Sequence, residues 1–111
     1  MDLYEELKQQ VDLLQKSLEQ LRKTGTTYAE AERNYKVKLR QEVLKLRDEG
    51  EAIGVINLIC YGIPSVAEER FKRDVAEATY KANQEAINTY KLKIKLIENQ
   101  LGREWCNGNK E

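Results

Sequence analysis

The chemistry open to this chain of 111 residues is limited first by a residue it lacks, because it contains no histidine. That absence removes the commonest general base, the commonest metal ligand and every Ser–His or Cys–His nucleophile arrangement. Its two cysteines, Cys60 in an apolar run and Cys106 in a polar stretch, have neither zinc spacing nor the look of a disulfide framework, so a reducing cytoplasm is the expected setting. Carboxylates occur side by side at Glu68-Glu69 and Asp48-Glu49, each at an expected helix end. Capping and the helix dipole account for them better than general acid–base catalysis does. No glycine-rich loop is built to cradle phosphate. The expectation is a chain with no catalytic residue, no metal and no cofactor, hence not an enzyme.

Charge restricts binding in the same way. Nineteen Lys and Arg balance nineteen Asp and Glu, so no net field draws the chain toward nucleic acid or an anionic membrane. Locally, Arg33, Lys36, Lys38, Arg40, Lys45 and Arg47 are opposed between residues 33 and 47 only by Glu42. Lys36, Arg40 and Arg47, beside Arg33, share one helical face and form the candidate nucleic-acid face, since such a row can follow a phosphate backbone. An ordinary solvated helix surface is the plainer reading. Lys91, Lys93 and Lys95 are two apart and therefore scatter around their helix.

These side chains must be held by helices. Charged residues make up 34% of the chain and hydrophobic ones 41%, a balance that suits long exposed helices rather than disorder. Residues 2–23 place Tyr4, Leu7, Val11, Leu14, Leu18 and Leu21 at alternating steps of three and four, a narrow heptad seam that needs a partner helix. Gly25, followed by a capping box of Thr27 and Glu30, predicts a break and a second helix over 27–49. One long kinked helix is the alternative, because the heptad phase continues to Tyr28 and Tyr35. The second helix carries Tyr28, Ala31, Tyr35, Leu39, Val43 and Leu46 on one face and stops at Gly50 in a left-handed cap.

A short helix over 52–61 follows, hydrophobic nearly all round and expected to be buried in the core or in an interface. Its residues Ile53, Ile56, Ile59 and Tyr61, with Ile63, form an apolar corner. The segment "ICYGIPSV" (59–66) could be the turn of a DNA-reading helix-turn-helix. Asn57 and Glu68, however, fall where that motif buries apolar side chains, and the helix that follows is far too long. A plain helix–helix corner is the reading adopted. The last helix is expected over 65–105, capped by Ser65 and Glu68, with Phe71, Val75, Ala78, Ala82, Ala86, Tyr90, Ile94, Ile97, Leu101 and Trp105 on its apolar side. Residues 106–111 read as a flexible tail.

The fold class is thus all-α, a helical bundle or long antiparallel hairpin with coiled-coil-like packing, in one domain over 1–105. The apolar side of its last helix exceeds what the shorter segments can cover, which predicts a homodimer. Leu7, Val11, Leu14, Leu18, Leu21, Ile94, Ile97, Leu101 and Trp105 are the candidate oligomer or partner interface. The polar start "MDLYEELKQQ" does not read as a signal peptide, and the longest apolar run (52–63) is too short to cross a bilayer. No membrane role is expected, and a cytoplasmic location is.

The strings "AEAERNYK", "LRDEG", "RFKRDVAE" and "REW" resemble a group of small, uncharacterised helical proteins from phages and prophages of Gram-positive bacteria, over roughly residues 26–105. The resemblance implies an intracellular viral origin within the bacterial host and, loosely, an early gene near recombination or replication functions. It implies no catalytic residues. "IGVINLICYGI" departs from the more polar corner of that group. The function expected first is a non-enzymatic interaction module that binds and modulates a host or phage protein, host-defence systems among its targets. A nucleic-acid accessory acting through the basic face, and a virion or scaffold component, are the alternatives.

Overall fold

The computed structural model describes the backbone of residues 2–109 and the side chains of residues 2–106. It is all-α, with no strand among the described residues. Helix α1 spans Leu3–Asp48, α2 spans Ile53–Ile59, a single 3-10 turn follows at Cys60–Gly62, and α3 spans Pro64–Asn109. Contacts divide the chain into two compact units, one formed by Met1–Lys23 with Lys81–Glu111 and the other by Thr24–Tyr80.

The expected break at Gly25 does not occur, and Thr27 and Glu30 lie inside α1 rather than in a capping box. A lone helical glycine costs only about 1 kcal/mol relative to alanine, and packing readily offsets that. Within the Thr24–Tyr80 unit the Tyr80 ring occupies the space a side chain would fill. A Cβ on Gly25 would stand 3.2 Å from Tyr80 Cε1. The same ring lies 5.9 Å from that of Tyr28, tilted by 32°. The glycine therefore serves a close approach and does not punctuate the helix.

The ends of α1 follow local chemistry. Asp2 caps the start, its Oδ1 accepting from the Glu5 backbone N–H at 2.8 Å, with Glu5 and Glu6 at the positive end of the dipole. At the other end Gly50 adopts φ +86°, its N–H donating to Arg47 O and that of Glu51 to Leu46 O. This is the double bond of a Schellman cap, as the sequence predicts. The start of α3 differs from expectation. Pro64 is its first residue, Ile63 stays extended at ψ 127°, and the Ala67 N–H donates to Ile63 O at 2.8 Å. Ser65 is thus already inside the helix and cannot be its cap. Proline suits this first position because the missing N–H has no helical acceptor anyway. Helix α3 also continues through Cys106 to Asn109, where a flexible tail is expected; no proline stops it. Lys110 and Glu111 of that tail lie outside the described residues.

In the unit of Met1–Lys23 and Lys81–Glu111, the two helix segments run antiparallel. Leu3, Leu7, Gln10, Leu14, Ser17 and Leu21 of α1 are half-buried. On α3, Asn83 and Ile87 are buried and Tyr90, Ile94, Ile97 and Leu101 half-buried. Both sets alternate steps of three and four, the heptad pattern of coiled-coil packing. Polar groups sit within this seam. Asn83 Nδ2 donates to Ser17 O at 3.1 Å, whereas Gln10 Oε1 is buried with no hydrogen-bond partner among the described residues.

The Thr24–Tyr80 unit has the fuller core, made of Tyr35, Ile56, Cys60, Val66 and Ala76. The face predicted for 28–46 packs as expected, with Tyr35 buried and Tyr28, Ala31, Leu39, Val43 and Leu46 half-buried. The Arg73 guanidinium stacks 4.5 Å from the Tyr35 ring centroid and bonds Asp74 Oδ1 at 2.9 Å. The hydrogen bond that Arg73 donates to Asp74 raises the guanidinium pKa further above its already high ordinary value.

Two substitutions test this packing by thermal or urea unfolding. Gly25→Ala is expected to raise stability slightly, by about 0.5 kcal/mol, because the half-buried Tyr80 ring can tilt outward by a few tenths of an ångström while the helix gains alanine's propensity. Gly25→Leu should lower stability, since Tyr80 cannot make that much room. Gln10→Leu should raise stability by about 1 kcal/mol, because it removes an unsatisfied buried oxygen from the seam.

Candidate interaction surfaces

The corner between α1 and α3 is built by a chain segment with no charge. Residues 52–67 contain no Asp, Glu, Lys or Arg, in a chain that is 34% charged overall. Helix α2 is only seven residues long, so it has one narrow inner strip. Ile56 and Cys60, one helical turn apart, fill that strip, and Ile56 retains 2% of its exposure. Val66, at the start of α3, is fully buried.

The rest of the corner faces outward. Ile53, Val55, Leu58, Ile59 and Tyr61 are all exposed, and Leu58 reaches 85%. Of the expected burial in the core or in an interface, the core takes only Ile56 and Cys60, because a two-turn helix presents one side to its own core and leaves the other sides open. Of the apolar corner read from sequence, Ile56 is buried, Ile63 is half-buried, and Ile53, Ile59 and Tyr61 are exposed. The Arg70 guanidinium lies 5.9 Å over the Tyr61 ring, a cation–π contact that orients the ring. The turn itself is a plain 3-10 turn. Among its glycines no positive φ occurs, Gly50 being the one glycine with that conformation among the described residues.

The candidate nucleic-acid face carries aliphatic side chains beside its cations. Arg33, Lys36, Arg40 and Arg47 are all exposed on α1, and Lys36 Nζ pairs with Glu32 Oε1 at 3.6 Å. Exposed Val37 and Leu44 interleave with the arginines. In helical order the strip reads Arg33, Val37, Arg40, Leu44, Arg47, with steps of four and three throughout. A strip that alternates cation and aliphatic is suited to an amphipathic protein surface; a phosphate row would leave the aliphatic side chains uncovered.

The candidate interface divides in two. Leu7, Leu14 and Leu21, with Ile94, Ile97 and Leu101, are half-buried in the antiparallel seam of their own unit. Val11, Leu18 and Trp105 are exposed, Trp105 at 71%. The inner line of α1 uses Leu3, Gln10 and Ser17 in place of Tyr4, Val11 and Leu18, so the helix is rotated by about one residue from the phase that apolar character alone suggests. On α3, Phe71, Val75, Ala78 and Ala82 of the expected apolar side are exposed, and Arg73, Ala76, Tyr80 and Asn83 turn inward. Following the apolar residues from Ala78 to Ile94 takes four successive steps of four. Each such step advances 40° around a helix, so the traced line is off the packed face at Ala78 and Ala82 and reaches it only from Ala86 onward.

A shallow groove of about 610 Å³ in the unit of Met1–Lys23 and Lys81–Glu111 is lined by Leu18, Leu21 and Ile87 together with Lys81, Glu85 and Lys91. It brings together no nucleophile with a base. Among the described residues, no three His, Cys, Asp or Glu side chains cluster closely enough to hold a metal ion. Among them also, no helix is long and apolar enough to cross a membrane. Leu58 and Val55, the residues that sequence reasoning passes over, could have been found from the uncharged run 52–67. Val37 and Leu44 could have been found from the heptad phase of the arginines.

The corner separates packing from exposure and so can be tested directly. Ile56→Ala should cost about 2–4 kcal/mol in unfolding, as large-to-small core changes do. Leu58→Ser, two residues away, should change stability by less than about 0.5 kcal/mol, as exposed positions do. Equal losses at both sites would mean that Leu58 is also packed. No family model, curated protein sequence or solved structure matches this chain.

Proposed function

We propose that this chain is a non-enzymatic protein-binding module, and that the α2 corner is its docking surface for an apolar groove on a partner protein. The observation that carries this reading is the set of exposed Ile53, Val55, Leu58, Ile59 and Tyr61 in a segment without charge. Burying one such side chain contributes about 1.5–3 kcal/mol, so a few of them supply useful affinity. Clustered exposed apolar side chains of this kind mark interaction sites on soluble domains, whereas scattered ones need no explanation. Arg70 adds a reason for specificity, since it holds Tyr61 in place and cuts the ordering cost of binding.

The alternating strip of Arg33, Val37, Arg40, Leu44 and Arg47 fits the same reading as a secondary protein contact. A modulator of a host or phage protein, the role suggested by the phage-type resemblance, would work through such surfaces. Binding dominated by apolar burial should survive about 300 mM salt, where contacts between exposed charges are screened.

The test uses the intact chain as bait in three forms: wild type, Leu58→Glu and Val11→Glu. The expected outcome is a stoichiometric protein partner captured by wild type and Val11→Glu and lost with Leu58→Glu, with all three baits equally helical by circular dichroism. Crosslinks from the partner should map to residues 53–61. Equal capture by Leu58→Glu would overturn the corner as the docking site. DNA or RNA binding that collapses with salt and disappears in Arg40→Glu would support the nucleic-acid alternative instead.

A further inference from the structure

The exposed line Tyr4, Val11 and Leu18 has an occupant that its own flanks identify. Each residue is seven from the next, so the three side chains form one strip along α1. On one side, the strip is bounded by Leu7, Leu14 and Leu21, already committed to the intrachain seam. On the other side come Lys8, Gln15 and Arg22, and beyond them Glu5, Asp12 and Glu19, all exposed. We propose that this strip pairs antiparallel with the same strip of a second copy of the chain, forming a two-fold symmetric dimer.

Charge selects one antiparallel register, and the apolar strip interleaves in it. With the second strip two residues out of step, Val11 and Leu18 of each copy fall between two side chains of the other copy, and Tyr4 closes the end of the zipper. In that register Glu5 of one copy lies opposite Arg22 of the other, and Lys8 lies opposite Glu19. Asp12 meets Gln15, so no two like charges face each other. The two-fold axis repeats every pair, giving four ion pairs around a zipper of six apolar side chains. A parallel arrangement has no such match, because the charged flank of one copy would lie against Leu7, Leu14 and Leu21 of the other. Opposite charges at such flanking positions set partner and orientation in helix pairs. The polar Gln10 and Ser17 in the intrachain seam fit the same picture, since α1 keeps its larger apolar side chains for the outer strip.

The contact covers about three heptads and belongs with the small, reversible interfaces. It is separate from the α2 corner and does not depend on that docking surface. Sedimentation equilibrium over about 5–500 μM protein, a range that spans weak interfaces, reads it out. Wild type is expected to show a reversible monomer–dimer equilibrium, and Val11→Glu to weaken it at least tenfold. Glu5→Arg alone and Arg22→Glu alone should each weaken it as well, while the double variant Glu5→Arg/Arg22→Glu recovers most of the association. All three sites are exposed, so circular dichroism should show unchanged helix content. A wild type that stays monomeric throughout, a dimer indifferent to Val11→Glu, or a double variant no better than the singles would each overturn the proposal. A dimer lost with Leu58→Glu and kept with Val11→Glu would overturn it too, by moving self-association to the corner.

Discussion

A helix packed against one antiparallel neighbour can bury a single strip of its surface, and that constraint governs this chain. In each unit the strip follows a heptad, because only steps of three and four keep successive side chains facing the same partner helix. Everything off the strip stays in water, whatever its chemistry. The buried hydrophobic core is consequently small, consisting of Tyr35, Ile56, Cys60, Val66, Ala76 and Ile87. Large side chains such as Leu58, Phe71, Leu92 and Trp105 are left exposed. In a multilayered globular domain they would be covered by another element. Here stability rests on the seam and on a few specific contacts, among them Arg73 over Tyr35 and Asn83 with the Ser17 carbonyl.

That constraint also separates what the sequence reveals from what it hides. Local signals are legible because their physics is local. Gly50 takes the left-handed conformation that only glycine adopts at little cost, and the face from Tyr28 to Leu46 packs as its periodicity requires. Asp2 was equally legible, since an Asp followed three residues later by Glu is a helix-start pattern. Gly25 misleads because the packing that offsets its low helix propensity involves Tyr80, a residue remote in sequence that becomes a neighbour only in the fold. The phase of α3 misleads for a related reason. Hydrophobicity ranks Phe71 and Val75 above Arg73 and Asn83, yet the fold buries Asn83 and half-buries Arg73, and each finds a partner there.

Placing polar groups inside the seam has a specific consequence. An aliphatic seam tolerates sliding by one heptad, since leucine meets leucine at every step. Asn83 donates to the carbonyl of Ser17 beside that residue's small side chain, and sliding by one heptad would set the longer Gln10 or the branched Thr24 in its place. The same holds for Arg73, whose charge is tolerable at its position because the Tyr35 ring and Asp74 both receive it. Polar seam residues thus trade stability for a defined alignment of α1 against α3 within each unit.

Alignment matters most for a chain whose proposed binding surfaces lie outside its core. If α1 and α3 could slide, Val37 and Leu44 would not hold a constant relation to the rest of their unit, and the α2 corner would shift with the helices it joins. A fixed seam converts a set of exposed apolar side chains into surfaces of definite geometry, which is what separates recognition from nonspecific adhesion. The balance of nineteen positive and nineteen negative charges serves the same end. With no net field to attract polyanions, the proposed binding would rest on the local match of apolar strip and flanking charge at the helix surface itself.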